Sequence, residues 1–307
     1  FYMSSSETSI FEMSPGLKMA LFIGLSGISL ILGGMISFSI AAVLLDIPFS
    51  GLQSALLQPK NASIAQFANA LASIIAFGLP GIAVAFFSKN KLVSELGFVR
   101  IKNWNQIGLV TLIAVTGLFL SGALGDLTER IPTPIALKNW ATQMEDQYKK
   151  ALYAMTQMKS VLDLLFAIIA VAVVPAIVEE LFFRASLQKI IMDWTGKPYV
   201  AIVVTAVIFS AFHFSYFGFL SRMSLGIILG IIYYYTKTIW LPIFMHFINN
   251  GIGITILYFV RNDSKKMDAV IDGNLPFYWV VLALFVIITL CKKLKETTHH
   301  VELEKSI

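Results

Sequence analysis

Charged side chains are scarce in this chain. Lys, Arg, Asp and Glu make up only 13% of its 307 residues, whereas hydrophobic residues make up 57%. A soluble globular domain carries about 25% charged residues. The charges are missing from long apolar blocks and not evenly along the chain. This pattern excludes a large soluble core and indicates a membrane protein.

Cysteine and acidic residues are also in short supply. Cys291 is the only cysteine, so no disulfide can form within the chain, and the redox compartment is left open. The 18 acidic residues are outnumbered by 23 Lys and Arg, which gives a net charge of +5. The basic residues flank the apolar blocks, where they orient membrane spans. They form no basic stripe with interleaved aromatic residues, so we expect no nucleic-acid partner.

The apolar blocks predict an all-α fold, a polytopic bundle of about eight transmembrane helices. A span needs about 20 apolar residues. The fourth block is too long, at about 48 Å for a rise of 1.5 Å per residue, so it must tilt, project beyond the bilayer or break near Pro175. The candidate spans lie at about 18–45, 64–88, 106–125, 161–192, 198–217, 222–237, 241–259 and 276–291.

A single membrane domain accounts for most of the chain. We expect an N-terminal segment at 1–17, a transmembrane domain at 18–291 with its functional core at about 161–259, and a polar tail at 292–307. Basic residues after the second and eighth candidate spans place both termini in the cytoplasm by the positive-inside rule. The loop at 261–275 is also basic and argues against this orientation.

Ionisable residues inside the candidate spans are concentrated in the second half of the chain. A charged group at the bilayer centre costs about 2.5–3.5 kcal/mol on insertion scales, so such residues are functional candidates by default. The polar residues that stand out in the fourth, fifth and seventh spans are Glu179, Glu180, Arg184, His213, His246, Asn249 and Asn250.

The helical repeat separates the two glutamates. Glu180 and Arg184 are four residues apart, so they share a helix face and can pair. Glu179 lies about 140° from Arg184 around the same helix and is free to face a different crevice.

The seventh span presents a histidine and an amide on one face, because His246 and Asn250 are also four apart. Asn249 points elsewhere and is expected to hydrogen-bond to a neighbouring helix. A buried carboxylate can take a proton from water, and polar donors can stabilise the oxyanion that follows, at about 2.7–4 kcal/mol per donor. The set therefore favours peptide-bond hydrolysis.

Three motifs, in this order on three candidate spans, resemble those of the CPBP intramembrane proteases. That family includes the type II CAAX prenyl endopeptidases and bacterial Abi-type proteins. Residues 179–184 (EELFFR) match E-E-x-x-x-R, residues 209–213 (FSAFH) match F-x-x-x-H, and residues 246–250 (HFINN) match H-x-x-x-N. Each motif alone is weak, whereas the ordered set is specific.

The resemblance implies a role for each side chain. Glu179 would be the general base, and His213 would help to position and activate the water. Glu180 and Arg184 would support that geometry, with Glu180 also close to the catalysis.

In the same scheme His246 and Asn250 would form the oxyanion site. A metal-free mechanism is favoured, although zinc is an alternative cofactor that Glu179, His213 and His246 would hold with an open fourth position. No H-E-x-x-H motif is present. The expected partners are the lipid bilayer and a peptide or protein substrate, prenylated or leader-type. The expected location is the bacterial inner membrane, and the oligomeric state is open.

Three other interpretations stay open at this stage. Residues 24–27 (GLSG) match the G-x-S-G of rhomboid serine proteases, but in rhomboids the serine span follows the H-x-x-x-N span, whereas here Ser26 lies in the first span. A proton-coupled transporter also uses intramembrane charges, although no inverted repeat with paired broken helices is evident. A non-catalytic immunity or scaffold protein would keep the same residues for structure.

Overall fold

The protein is an all-helical membrane bundle. The computed structural model describes residues 13–87, 91–132, 134–272 and 275–304, and these ranges contain no β-strand. The longer helices are α1 (Pro15–Leu45), α2 (Pro59–Phe86), α3 (Asn105–Glu129), α4 (Ile135–Met155), α5 (Val161–Thr195), α6 (Pro198–Ala211), α7 (Phe219–Thr236), α8 (Trp240–Val260), α9 (Ser264–Asp272) and α10 (Trp279–Glu304). This architecture confirms the predicted all-α, polytopic fold.

Six of the described helices are long and apolar enough to cross a membrane: α1, α2, α3, α5, α7 and α8. The expected count of eight spans is therefore not confirmed. The last predicted span, at 276–291, corresponds to α10. Its apolar part is followed at once by three lysines, which keeps α10 outside the six: Lys292, Lys293 and Lys295.

The fifth predicted span, 198–217, is too long. Helix α6 has 14 residues and ends at Ala211. It is therefore about 21 Å long, against about 30 Å for the hydrocarbon core. Residues 212–218 leave the helical path, and Phe214 adopts the left-handed region with φ of 50°. The run of aromatic residues after Ala211 keeps the hydropathy high, so sequence alone does not show where the helix stops.

Contacts between helix ends define two faces of the bundle. We call the face at which α3 begins proximal and the face at which α3 ends distal. At the proximal face, Thr238 donates to the carbonyl of Val99 at 2.7 Å, and Gln106 donates to Thr298 at 3.0 Å. At the distal face, the N–H of Phe277 donates to Asp126 at 3.1 Å. Helices α4 and α9 both lie at the distal face, where a hydrogen bond between Tyr153 and Asp268 joins them. The end of α10 thus lies at the proximal face, beside the start of α3.

Helix α5 carries both glutamates and runs without a break. The over-long fourth span was expected to tilt, to project beyond the bilayer or to break near Pro175, and the break does not occur. The helix instead widens into π turns at Ile168–Val173 and Leu181–Gln188, on either side of the glutamate segment. Proline cannot donate to the carbonyl four residues earlier, and wider turns are one way for a membrane helix to accommodate it. Such π segments are frequent at functional sites.

Two glycines of α7 let neighbouring helices approach closely. A Cβ on Gly226 would lie 3.0 Å from the Cα of Ala206, and one on Gly230 would lie 2.7 Å from Oε1 of Gln188. Small residues four apart are the usual means of close packing between membrane helices. Here they also bring two backbone carbonyls of α7 within reach of side chains on α5.

Candidate active site

A fully buried ion pair lies at the centre of the site. Nη1 of Arg184 donates to Oε1 of Glu180 at 2.7 Å, and neither side chain is exposed. This confirms the pairing that their spacing predicts. Nη2 of Arg184 donates to the carbonyl of Gly226 at 3.2 Å, and the guanidinium lies 4.8 Å from the ring centre of Phe209. These contacts offset part of the desolvation cost that burying two charges carries.

His246 is attached to the same carboxylate. Its Nδ1 lies 2.9 Å from Oε1 of Glu180, and the imidazole is buried. An ionised carboxylate only accepts, so Nδ1 carries the hydrogen. The other ring nitrogen of a neutral His246, Nε2, then presents a lone pair.

Glu179 faces away from Arg184, as the helical repeat predicts. Its Oε2 lies 3.9 Å from Nε2 of His246. Among the described residues, this buried oxygen has no hydrogen-bond partner. A distance of 3.9 Å is too long for a direct hydrogen bond, but it leaves both atoms within reach of one shared water. A row of polar contacts thus runs from Arg184 through Glu180 and His246 to Glu179. Its last contact, between His246 and Glu179, is too long for a direct hydrogen bond.

The ring of Phe209 separates His213 from this row of polar contacts. It lies two residues beyond the end of α6, and its Nδ1 donates to the carbonyl of Phe209 at 2.9 Å. The Phe209 ring centre is 4.9 Å from the His213 ring and 6.0 Å from the His246 ring. Within the described part of the chain, His213 has no hydrogen bond to either glutamate. Phe209, which sequence reasoning treated only as a motif marker, thus connects Arg184 and both histidines.

The two asparagines of α8 bond to backbone. Nδ2 of Asn250 lies 3.4 Å from the carbonyl of Val171, which is the carbonyl that Pro175 cannot serve. Nδ2 of Asn249 donates to the carbonyl of Met245 at 3.0 Å. The prediction that Asn249 bonds to a neighbouring helix is therefore wrong, because its amide reaches back one turn along its own helix.

The family comparison covers all of these residues. Residues 161–252 match the family model described as "Type II CAAX prenyl endopeptidase Rce1-like". The match covers less than a third of the chain, and we refer to this matched segment as the Rce1-like domain. It begins with the first residue of α5 and ends two residues after Asn250, so the ion pair, both histidines and both asparagines fall inside it. No curated protein and no solved structure matched the chain.

The Rce1-like domain does not assemble the zinc ligands suggested by the sequence. Among the described residues, no three His, Cys, Asp or Glu side chains are grouped so that they could hold a metal ion. His213 uses Nδ1 on its own backbone turn, and its ring contacts Phe209. A zinc ion held by Glu179, His213 and His246 does not fit this arrangement.

A chamber of about 670 Å³ lies on the His213 side of the site, and part of its lining belongs to the Rce1-like domain. It lies beside the irregular backbone of residues 212–218, which follow the end of α6. Within a membrane, such backbone is tolerated only where protein or a water-filled cavity surrounds it. Ser215, Phe217 and Gly218 of this segment line the chamber, together with residues of α3, α4, α7, α8 and α9.

Proposed function

We propose that this protein is an intramembrane endopeptidase that uses a water held between Glu179 and His246 to hydrolyse a peptide bond of a membrane-associated substrate. The Rce1-like domain supports a CAAX-type protease. The single observation that carries the mechanism is the pair of atoms facing each other across 3.9 Å, Oε2 of Glu179 and Nε2 of His246, in a site that is almost closed to solvent.

Glu179 acts as the general base. It takes one proton from the water while the oxygen attacks the scissile carbonyl, and it returns that proton to the leaving amine as the tetrahedral intermediate collapses. His246 accepts a hydrogen bond from the second O–H of the water and so fixes its direction. Arg184 pairs with Glu180, and Glu180 holds the His246 ring with Nε2 towards the water.

The oxyanion donor is then Asn250 and not His246. A neutral His246 has already committed its single N–H to Glu180, so it has none to give to an oxyanion. One N–H of the Asn250 amide reaches Val171, and the second stays available. His213 likewise uses its Nδ1–H on Phe209, so its other ring nitrogen is an acceptor, suited to binding a water and not an oxyanion.

The support for a substrate class comes from the family match and not from the geometry. The name of the matched family supports a peptide that ends near a prenylated cysteine. A leader-type membrane peptide uses the same chemistry. The mechanism needs no metal, so we expect hydrolysis to continue in the presence of chelators.

The test is cleavage by purified protein in liposomes. Degenerate peptide libraries, farnesylated and unmodified, are incubated with the parent and the variants, and new peptide ends are quantified by mass spectrometry. We expect Glu179→Gln to lower the rate by about 10²–10⁴-fold, the usual contribution of a general base. The matched control is Ser26→Ala, which we expect to cleave normally because Ser26 bonds only within α1, to the carbonyl of Phe22.

Three results would contradict the proposal. They are normal cleavage by Glu179→Gln, loss of cleavage in Ser26→Ala, and no cleavage of any library by the parent protein. Loss of cleavage on treatment with a chelator would overturn the metal-free mechanism alone.

A further inference from the structure

The chamber beside His213 has the size of a ligand site. Its volume of about 670 Å³ lies within the range of about 300–1,000 Å³ typical of small-ligand pockets. Ser215, which lines it, is two residues from His213, and Gly253 is two helical turns beyond His246 on α8. None of the side chains in the proposed hydrolytic machinery lines it. The chamber is therefore an adjoining compartment and not the reaction site itself.

The Arg222 side chain lines this chamber. Its Nη1 is buried against Gly218 and has no hydrogen-bond partner among the described residues. Because no ligand in the chamber can reach Nη1, an anion would bind the other edge of the guanidinium, formed by Nε and Nη2. The arginine lies in the first turn of α7, where the helix dipole also favours an anion.

The position of the guanidinium is fixed from two sides. It lies 4.7 Å from the ring centre of Tyr148 on α4. On the other side it rests on Gly218, where a Cβ would come within 2.0 Å of Nη1. Arg222 is thus held in one orientation at the wall of the chamber.

The other charges of the chamber narrow the kind of anion. Three acidic side chains line it beside two basic ones: Glu129, Glu145, Asp146, Lys149 and Arg222. Ser215 donates to Glu145 at 2.8 Å, and none of the described acidic side chains forms an ion pair with Arg222. A doubly charged phosphate would be repelled by this excess of acid. A single carboxylate fits, because the acidic groups can accept the N–H groups of a peptide that carries it.

We propose that Arg222 binds a carboxylate of the peptide substrate, and that the chamber holds the substrate residues next to the scissile bond. This inference rests on the proposed function. The carboxylate has two sources with the same chemistry, the free C-terminus of the peptide or the side chain of an Asp or Glu. Two hydrogen bonds from the planar guanidinium recognise either one.

The test measures binding without hydrolysis. Protein carrying Glu179→Gln is placed in lipid nanodiscs and incubated with degenerate hexapeptide libraries, farnesylated and unmodified, each made with a free and with an amidated C-terminus. The retained peptides are quantified by mass spectrometry. We expect retention of free acids to exceed that of amides by about 10-fold or more, the usual effect of one charged hydrogen bond. If the side chain is the source, Asp and Glu are enriched among the retained amides instead.

Variants at three positions show whether Arg222 causes the preference for a carboxylate. Arg222→Gln should abolish it, and Arg222→Lys should restore part of it. Gly218→Ala should weaken it, because the new methyl group displaces the guanidinium. The matched control is Arg130→Gln, which removes an exposed arginine that pairs with Asp126, and the preference should survive it. For cleaved peptides, Arg222→Gln should raise KM for the carboxylate form and leave kcat nearly unchanged.

The outcomes separate this inference from the proposed function. A preference that persists in Arg222→Gln, no preference in the parent, or no retained peptide overturns the role of Arg222. Equal loss of acid and amide binding in Arg222→Gln shows that the arginine only packs against Tyr148. A preference that depends on Arg222 in a protein that hydrolyses nothing refutes the endopeptidase and leaves a peptide-binding site.

Discussion

The two adjacent glutamates have different hydrogen-bond partners in this site. Oε1 of Glu180 accepts from both Arg184 and His246, whereas Oε2 of Glu179 has no protein partner among the described residues. Oε2 of Glu180 also has no partner among the described residues, but it is Oε2 of Glu179 that lies 3.9 Å from Nε2 of His246. In the proposed mechanism Glu179 is therefore the base, because its oxygen and Nε2 of His246 can share one water. Glu180 is the member that holds Arg184 and His246 in place.

The buried ion pair leads to a stability prediction. Arg184→Met should destabilise the protein by about 3–5 kcal/mol, because it leaves the Glu180 charge buried without its counter-ion. Adding Glu180→Leu should recover most of that loss, since an apolar pair of similar volume avoids the desolvation cost. The measurement is the free energy of unfolding in mixed micelles titrated with SDS.

The control for this cycle is the ion pair of Arg130 and Asp126, in which Arg130 is 61% exposed. Removing it should not change stability measurably. If the double variant is as unstable as Arg184→Met alone, packing and not uncompensated charge is what the arginine supplies. The double variant should lose hydrolysis, because His246 loses the Glu180 carboxylate that orients it.

The sequence predicted the residue-scale geometry only within one helix. A repeat of 3.6 residues was enough to pair Glu180 with Arg184 and to turn Glu179 away from them. The hydrogen bond from His246 to Glu180 joins helices α5 and α8 across 66 residues, and it depends on how these helices pack. In the proposed mechanism, that bond makes His246 the residue that holds the water and not the donor to the oxyanion.

At the scale of elements, the sequence predicted positions better than ends. The long apolar helices fall close to where their patterns place them. The end of α6 could not be predicted, because residues 212–217 include four aromatic side chains that keep the hydropathy high. The hydropathy of these residues also gives no sign of the left-handed backbone at Phe214. The link between Pro175 and Asn250 was also beyond the sequence, because it joins two helices through a backbone carbonyl.

That link gives a second stability prediction. Asn250→Ala should cost about 1 kcal/mol, because the carbonyl of Val171 loses its donor. In a Pro175→Ala background the same change should cost less, since an alanine can supply the N–H that proline lacks. The measurement is a double-mutant cycle on the free energy of unfolding, with Asn249→Ala as the uncoupled control. No coupling between Pro175 and Asn250 would refute the structural role.

The same cycle separates structure from chemistry. If the second N–H of Asn250 binds the oxyanion, Asn250→Ala should lower the rate of hydrolysis by about 10²–10³-fold. That loss should remain in the Pro175→Ala background. Recovery of the rate along with stability would instead show that Asn250 acts only by holding α5 in position.

At the scale of the molecule, the chamber lies on the distal side of the bundle, where residues of α4 and α9 line it. Helix α6, with 14 residues, is too short to cross the hydrocarbon core. Hydrolysis consumes water and needs an extended peptide, so a site at membrane depth requires an aqueous approach. We propose that the chamber provides this approach, from the distal face towards His213. A bundle made only of long apolar helices would keep water away from the site.

This access can be tested by thiol labelling. Leu118 of α3 lines the chamber, whereas its neighbour Phe119 is 45% exposed on the outer surface, at nearly the same depth. In a Cys291→Ala background, Leu118→Cys should react with a membrane-impermeant thiol reagent, and Phe119→Cys should react far more slowly. The reason is that the reacting species is the thiolate, which forms in water and not in lipid. The positive-inside rule predicts reaction from outside intact cells. Equal rates at the two positions, or reaction only from the cytoplasmic side of inverted vesicles, would show that the chamber does not open to water at the distal face.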